Sequence, residues 1–321
     1  MGVSKPQPNI VRVLAWLFRI AALPGRYAEL HALSNFTFLR GASHPEELVE
    51  TAAQLGYDAL AITDECSMSG IVRAHAAAKE FGLRKLIIGS ELRLHSGRKL
   101  IVLAQNRRGY AALCRLITNA RRAADKGLYE LARSDFEEGL PDCLVLWVPD
   151  HDFTLDVEDH WIRETFRDRL WIAVELLADG RQREQLAKLR EEGRRLGLPL
   201  VAAGDVHMHC RARRILQDAV TAIRYGTTVD NAGFALYPNG ERHLRPLDVL
   251  QHIYPADLLE ETVRIADAID FSLDELCYTY PNEIVPENET PATYLRKLTE
   301  EGMQRRWPQG VPEKVIRIVE H

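Results

Sequence analysis

The chain has 321 residues and a net charge of −5, with 41 Lys and Arg against 46 Asp and Glu, so it lacks the overall basic footprint of a nucleic-acid binder. Any contact with DNA has to be local or belong to sequence outside this chain. Five widely spaced cysteines, Cys66, Cys114, Cys143, Cys210 and Cys277, form neither a C-x-x-C pair nor a disulfide framework, which fits a reducing, cytoplasmic setting.

The first apolar stretch, Ile10 to Leu23, is shorter than the ~20 residues a membrane span needs, and Arg12 and Arg19 interrupt it. Pro24-Gly25-Arg26 is a poor signal-cleavage site. Residues 1–26 therefore read as an amphipathic helical extension. From about Tyr27 to Gly204, short β-branched or apolar runs alternate with amphipathic helical stretches, the rhythm of β/α units around a largely parallel sheet. Ser43 three residues before Glu46, Pro45 in the opening turn and a closing Gly56 predict the first helix, with Leu48, Val49, Ala52 and Leu55 on its apolar face.

Strands are predicted at Asp58 to Thr63, Lys85 to Gly89, Glu91 to Leu94, Lys99 to Ala104, Cys143 to Val148, Trp171 to Leu176 and Leu200 to Gly204. Helices are predicted at Ser69 to Phe81, near Gly109 to Asn119, and at Gln182 to Leu196, and Ser96-Gly97 signals a hairpin. This order suits a barrel better than an open sheet. After Asp205 the sequence predicts a helix at Ala212 to Arg224, a long polar loop through Gly240, and a helix at Ala256 to Ile269. Pro281, Pro286 and Pro291 then punctuate an extended stretch before a last helix, about Ala292 to Arg306. The expected organisation is an extension at 1–26, a barrel at 27–285 and a connector at 286–321.

In a β/α barrel, side chains at the strand ends converge on one face. His31, Asp64, Glu91, Asp205 and His207 all fall at such ends, and their nitrogen and oxygen donors suit zinc, manganese or iron and the activation of water against a phosphoester. Each has a plainer reading: an Asp at a strand end often only forms a turn. Asp205-x-His207 is more suggestive, because alternate strand residues face one side. Other histidines, among them His75, His95, His151, His160, His209, His243 and His252, scatter over helices and loops. Cys66 reads as a packed thiol without a His partner.

Glu29 to Gly41 with the following Ala-Ser-His-Pro-Glu-Glu-Leu-Val, Ala61-Ile62-Thr63-Asp64, Ile88-Gly89-Ser90-Glu91 and Gly204-Asp205-Val206-His207 resemble the PHP (polymerase and histidinol phosphatase) domain. The form is similar to the one at the N-terminal end of bacterial C-family DNA polymerase alpha subunits, in their error-prone translesion branch. The resemblance runs from about Tyr27 onward, through Leu103-Ala104-Gln105-Asn106 and Glu289-Thr290-Pro291. It implies a distorted (β/α)7 barrel that in complete versions holds a metal cluster and hydrolyses phosphoesters, in some polymerases as a proofreading exonuclease.

Matched to the family's motifs, His31 falls on the first His of H-x-H, Asp64 on the Asp of T-D-H, Glu91 on the Glu of G-x-E, and Asp205 and His207 on the closing D-x-H. Leu33 takes the second His of H-x-H, and an alkyl chain cannot coordinate a metal. Glu65 takes the His of T-D-H, Arg40 stands where the family places an Asp or His, Asp179 replaces another His, and Trp147-Val148-Pro149 lacks the usual ligand. A cation about 4 Å from a divalent ion is opposed by roughly 8 kcal/mol at an effective dielectric near 20. The expectation is a degenerate metal site in which Arg40 pairs with Glu65, Asp64 or Glu91, with at most one residual zinc or manganese ion on Asp205, His207 and Glu91. The resemblance also implies that nucleotide transfer, with its magnesium, belongs to a palm domain beyond the connector. DNA and other replication or translesion components would then be partners of the full-length polymerase. The competing reading is an active metal-dependent phosphoesterase or 3′–5′ exonuclease.

Overall fold

In a computed structural model, residues 25–150, 157–276 and 285–320 are described. The expected helix at Ile10 to Leu23, Pro281, His151 and Cys277 lie outside them. The chain divides into two compact units, one up to Glu275 and one from Leu276.

Seven strands form one sheet in chain order: β1 (Ala28–Ala32), β2 (Ala59–Ile62), β3 (Leu86–Arg93), β4 (Lys99–Ala104), β5 (Cys143–Val148), β6 (Leu170–Val174) and β7 (Leu200–Ala202). Neighbours are parallel except at β3–β4 and β4–β5. The sheet comes round on itself just beyond β7, where Leu33 donates to the Val206 carbonyl at 2.7 Å and Val206 donates to the His31 carbonyl at 2.9 Å. The distorted α/β barrel expected from the sequence is therefore present, and its seam lies between two stretches predicted to hold functional residues.

Helices α1 (Pro45–Gln54), α2 (Ile71–Phe81), α3 (Arg107–Arg122), α4 (Val157–Phe166) and α5 (Gln182–Leu196) follow the strands. Apolar residues at helical spacing on α1 (Leu48, Val49, Ala52) and α2 (Ala74, Ala77, Ala78) pack onto one face of the sheet with Leu60, Ile62, Leu100 and Val102. The opposite face gathers Ala28, Leu30, Ala59, Ala61, Ile87, Ile101, Leu103, Leu144 and Leu146 into a second core, joined by Ile265, Ala266 and Ile269. After β7 come α6 (Arg214–Arg224), a single turn at Val229–Ala232, α7 (Leu247–Ile253) and α8 (Ala256–Asp267). The second unit holds α9 (Pro291–Arg306) and α10 (Glu313–Glu320).

Three local expectations are corrected. The N-cap of α1 is His44, whose N–H donates to Glu47 at 2.9 Å, while the Ser43 hydroxyl instead accepts from the His209 N–H at 2.8 Å. The runs read as separate strands on either side of Gly89-Ser90 are one strand, β3. Gly89 is required there by close packing, since a Cβ would lie 2.7 Å from the Val102 carbonyl oxygen, and Ser90 donates to the Asp64 carbonyl at 2.7 Å. Helices α4, α7 and α10 were not anticipated.

Candidate functional site

The strand ends deliver a buried cluster of charge. The pairing register of β1 with β2 shifts between Glu29 and Ala32, an irregularity that falls at His31 and is of the kind that re-aims side chains beside functional sites. The His31 ring is fully buried with a carboxylate at each nitrogen: Nε2 lies 3.0 Å from Glu91 Oε2, and Nδ1 lies 2.9 Å from Glu175 Oε1 and 3.6 Å from Asp205 Oδ1. Asp205 has a φ of 43°, which an Asp tolerates better than most residues, and its Oδ1 lies 3.1 Å from His207 Nε2. Donor atoms of His31, Glu91 and Asp205 fall within 4.8 Å of one another, and all three residues are buried.

Cations occupy this set. Arg40, on the loop after β1, donates to both oxygens of Glu91 at 2.6 and 3.2 Å and also pairs with Glu65. Arg93 Nε donates to Glu91 at 3.1 Å, Lys99 Nζ lies 3.5 Å from Glu175, and Arg242 pairs with Asp205. The four carboxylates Glu65, Glu91, Glu175 and Asp205 thus face the four cations Arg40, Arg93, Lys99 and Arg242. Glu65 also accepts from the Tyr129 hydroxyl at 2.8 Å.

Electrostatics follow from this pairing. Burial by itself would raise the Glu91 carboxyl, but Arg40, then Lys99 and His31, hold it well below the usual carboxylate range. Burial likewise opposes Glu175, which Lys99 and the His31 hydrogen bond nevertheless bring down to about 2. Arg40, whose charge burial disfavours, is held charged by Glu91 and Glu65. Burial and then the Arg40 charge push His207 well below the ordinary histidine value, so it is neutral. The Gln217 amide lies 3.5 Å from His207 Nδ1, an arrangement that leaves the proton on Nε2 to be donated to Asp205. The same amide donates to the Arg40 carbonyl at 2.7 Å. Helix α6 therefore turns the polar Gln217 and Thr221 inward, while Ile215 and Ile223 are exposed.

Of the sequence-predicted residues, His31, Glu91, Asp205 and His207 come together. Asp64 is buried but committed elsewhere: its oxygens accept from the Ser34 N–H at 2.8 Å, the Ser34 hydroxyl at 2.7 Å and the Thr37 hydroxyl at 2.7 Å, pinning the loop that carries Arg40. Leu33 is buried and supplies only its backbone to the seam. Arg40 and Glu65 stand in the cluster, and of the three partners foreseen for Arg40, Glu65 and Glu91 are engaged. Asp179 is exposed in a turn, where it accepts from the Arg181 N–H at 3.0 Å. The acid that reaches the cluster from this segment is Glu175, directly after β6, which the sequence reading passed over. Arg93, Lys99, Tyr129, Gln217 and Arg242 were also missed. For Glu175 a signal existed, since it follows β6 directly, closer than Asp64 follows β2.

The PHP domain profile matches residues 29–155. Over this stretch the chain is similar to the PHP domain. It is 56% identical over 296 residues to the error-prone DNA polymerase of Methylococcus capsulatus, covering 92% of this chain and 28% of that protein. The error-prone DNA polymerase of Dechloromonas aromatica is 56% identical over 92% of this chain and 29% of its own length, and that of Pseudomonas aeruginosa is 53% identical over 95% and 29%. The chain thus spans under a third of these relatives' length.

The donor set does not fit a metal cluster of the complete PHP type. A divalent ion on His31, Glu91 and Asp205 would have to displace Arg40 from both oxygens of Glu91 and Arg242 from Asp205, and the remaining charge of Arg40 would oppose it. Leu33 offers no donor, and Asp64 has given its oxygens to Ser34 and Thr37. Among the described residues, no other group of three metal-type donors converges.

Proposed function

We propose that this chain is the PHP portion of an error-prone DNA polymerase and acts there as a structural and interaction module, its ancestral metal site rebuilt as an internal salt-bridge network. DNA-directed synthesis past lesions, and the magnesium it uses, belong to the parent polypeptide. DNA is a partner through that parent, other translesion or replication components are candidate partners, a membrane is not, and the setting is cytoplasmic. The single observation that carries the reading is the Arg40 guanidinium seated across Glu91 and Glu65. It supplies the positive charge that a metal would otherwise bring, at a place where both could not stay.

The remaining chemical option is one divalent ion on His31, Glu91 and Asp205, with His207 beside it. Its test is metal analysis of protein purified without chelators, together with phosphodiesterase and exonuclease assays in added Mn²⁺ or Zn²⁺, with His207→Ala as control. The expected result is less than one ion per chain and no turnover above the control. Two or more tightly held ions, or turnover that His207→Ala abolishes, would restore the hydrolase reading.

A further inference from the structure

Beside Arg40 and Glu65 the surface opens into a groove of about 640 Å³. Its walls carry three aromatic rings, Phe36, Phe38 and Tyr129, and two further arginines, Arg121 and Arg224. Glu65 is the acid on these walls, and Arg40 and the Tyr129 hydroxyl already hold it. Arg121, seated over the Tyr129 ring, donates to the carbonyls of Glu65, Cys66, Gly127 and Leu128, so its charge meets no carboxylate. Exposed Arg224 has no acid partner among the described residues. The groove is therefore locally positive on a chain whose net charge is −5.

Phe38 is 83% exposed, and the backbone holds it there. Thr37 before it donates to Asp64 at 2.7 Å, and Arg40 after it is fixed on Glu91. Leu39, between Phe38 and Arg40, has a φ of 59°, a left-handed conformation that a leucine keeps only where its surroundings impose it. The strain holds a large apolar ring on the groove wall, where it adds nothing to the core.

Exposed rings interleaved with unmatched arginines are the surface that a single nucleic-acid strand uses, its bases stacking on the rings while the cations follow its phosphates. A duplex keeps its base faces stacked inside, and an acidic peptide would answer the arginines but not the ring held out beside them. We propose that this groove binds a single-stranded nucleic-acid segment, with a base on Phe38 and phosphates at Arg121 and Arg224. The proposal deepens the polymerase reading by giving the strand a contact within this chain, and such binding needs neither a metal nor turnover.

Fluorescence anisotropy of a labelled oligo-dT strand at low salt, with the 321-residue protein, tests it. Phe38→Ala and Arg224→Gln replace exposed side chains, so both variants fold. Phe38→Ala is expected to weaken binding about tenfold. Arg224→Gln should weaken it and flatten the slope of log affinity against log salt by about 0.7. Arg107→Gln removes the same charge from the exposed first residue of α3, about 21 Å along the helix from Arg121, and should leave binding unchanged. No binding at low salt, or equal weakening by Arg107→Gln, overturns the inference. So does a poly-glutamate peptide that binds in place of the strand with the same dependence on Arg224, which would assign the groove to an acidic protein. These outcomes leave the module reading standing. Cleavage of the bound strand once Mn²⁺ is added would instead overturn that reading and support the groove as the strand's site.

Discussion

Two buried polar networks start two residues apart on β1 and are wired differently. Glu29 accepts from the Tyr27 hydroxyl at 2.8 Å and from the N–H groups of Gly204 at 2.9 Å and His31 at 3.0 Å, so its partners are a phenol and two backbone amides. The network continues through Arg245, which donates to the Leu176 carbonyl, and Tyr254, which donates to the Ala203 carbonyl. It binds β1 to the segment after β7 and so belongs to the barrel seam. The cluster around His31 and Glu91 is wired instead to side chains of opposite charge delivered by loops and strand ends. A network built on backbone groups serves the fold. The one built on matched charges lies at the face where a β/α barrel places its chemistry.

The strongest way to break this contrast is to remove one charge from the second network. Arg40→Ala should cost about 3–5 kcal/mol, because Glu91 is then left buried without its main cation. Urea melts read this directly. Restoration of wild-type stability in the variant by Mn²⁺ or Zn²⁺ would show that the site still accepts a metal once the guanidinium is gone. Glu29→Gln should cost less, about 1–3 kcal/mol, since the amide oxygen can keep both backbone N–H donors while the Tyr27 hydroxyl loses its carboxylate acceptor. It should not change metal affinity.

Acid titration separates the networks by sign. His207 has a folded value below the ordinary one, so stability starts to fall as pH drops past about 6.5, where the unfolded chain takes up its proton. The depressed carboxyls Glu91 and Glu175 contribute stability that is fully present above about 4.5 and is lost as pH falls toward 2. For Glu175 the shift from 4.5 to about 2 corresponds to about 3 kcal/mol. Glu29 runs the other way. Burial raises its carboxyl, so its contribution is present below about 4.5 and declines as pH rises through the folded value. The deficit of Glu29→Gln relative to wild type should therefore widen on acidification, whereas Lys99→Met should remove part of the loss between 4.5 and 2. Parallel curves for all three proteins would mean that the two networks are not electrostatically distinct.

How much of this the sequence disclosed depends on range. The alternation of strands and helices, the hairpin at Ser96-Gly97, and the convergence of His31, Glu91, Asp205 and His207 were legible, because each rests on local period or on position at a strand end. Leu33 and Arg40 could also be read as side chains that do not ligate a metal. Lys99 and Arg242 were not. With 27% of the residues charged, nothing local distinguishes a lysine that opens β4 toward a buried carboxylate from one on the surface. Glu175 was missed because the acid chosen from its segment was Asp179, four residues later, after the strand had already ended at Val174. Asp64 was a strand-end acid of the right type, and only the loop folded over it shows that Ser34 and Thr37 take its oxygens.

The finest test of the contrast lies at the edge of the second network. Tyr129 donates its hydroxyl to Glu65 at 2.8 Å and carries the Arg121 guanidinium over its ring at 5.1 Å from the centroid. Tyr129→Phe deletes the hydrogen bond and keeps the ring, so the loss should be about 1 kcal/mol, at the scale of a single partly buried hydrogen bond. Glu65 is also paired with Arg40, and the two changes should therefore not add. In the Arg40→Ala background, where Glu65 keeps only the more distant Arg93 at 3.9 Å as a cation, the hydroxyl becomes its nearest side-chain partner and Tyr129→Phe should cost more than in the wild type. A double-mutant cycle with a coupling of at least about 0.5 kcal/mol would place Tyr129, Glu65 and Arg40 in one unit. Strict additivity would confine the network to Arg40, Glu91 and His31, with Glu65 held only as a surface pair.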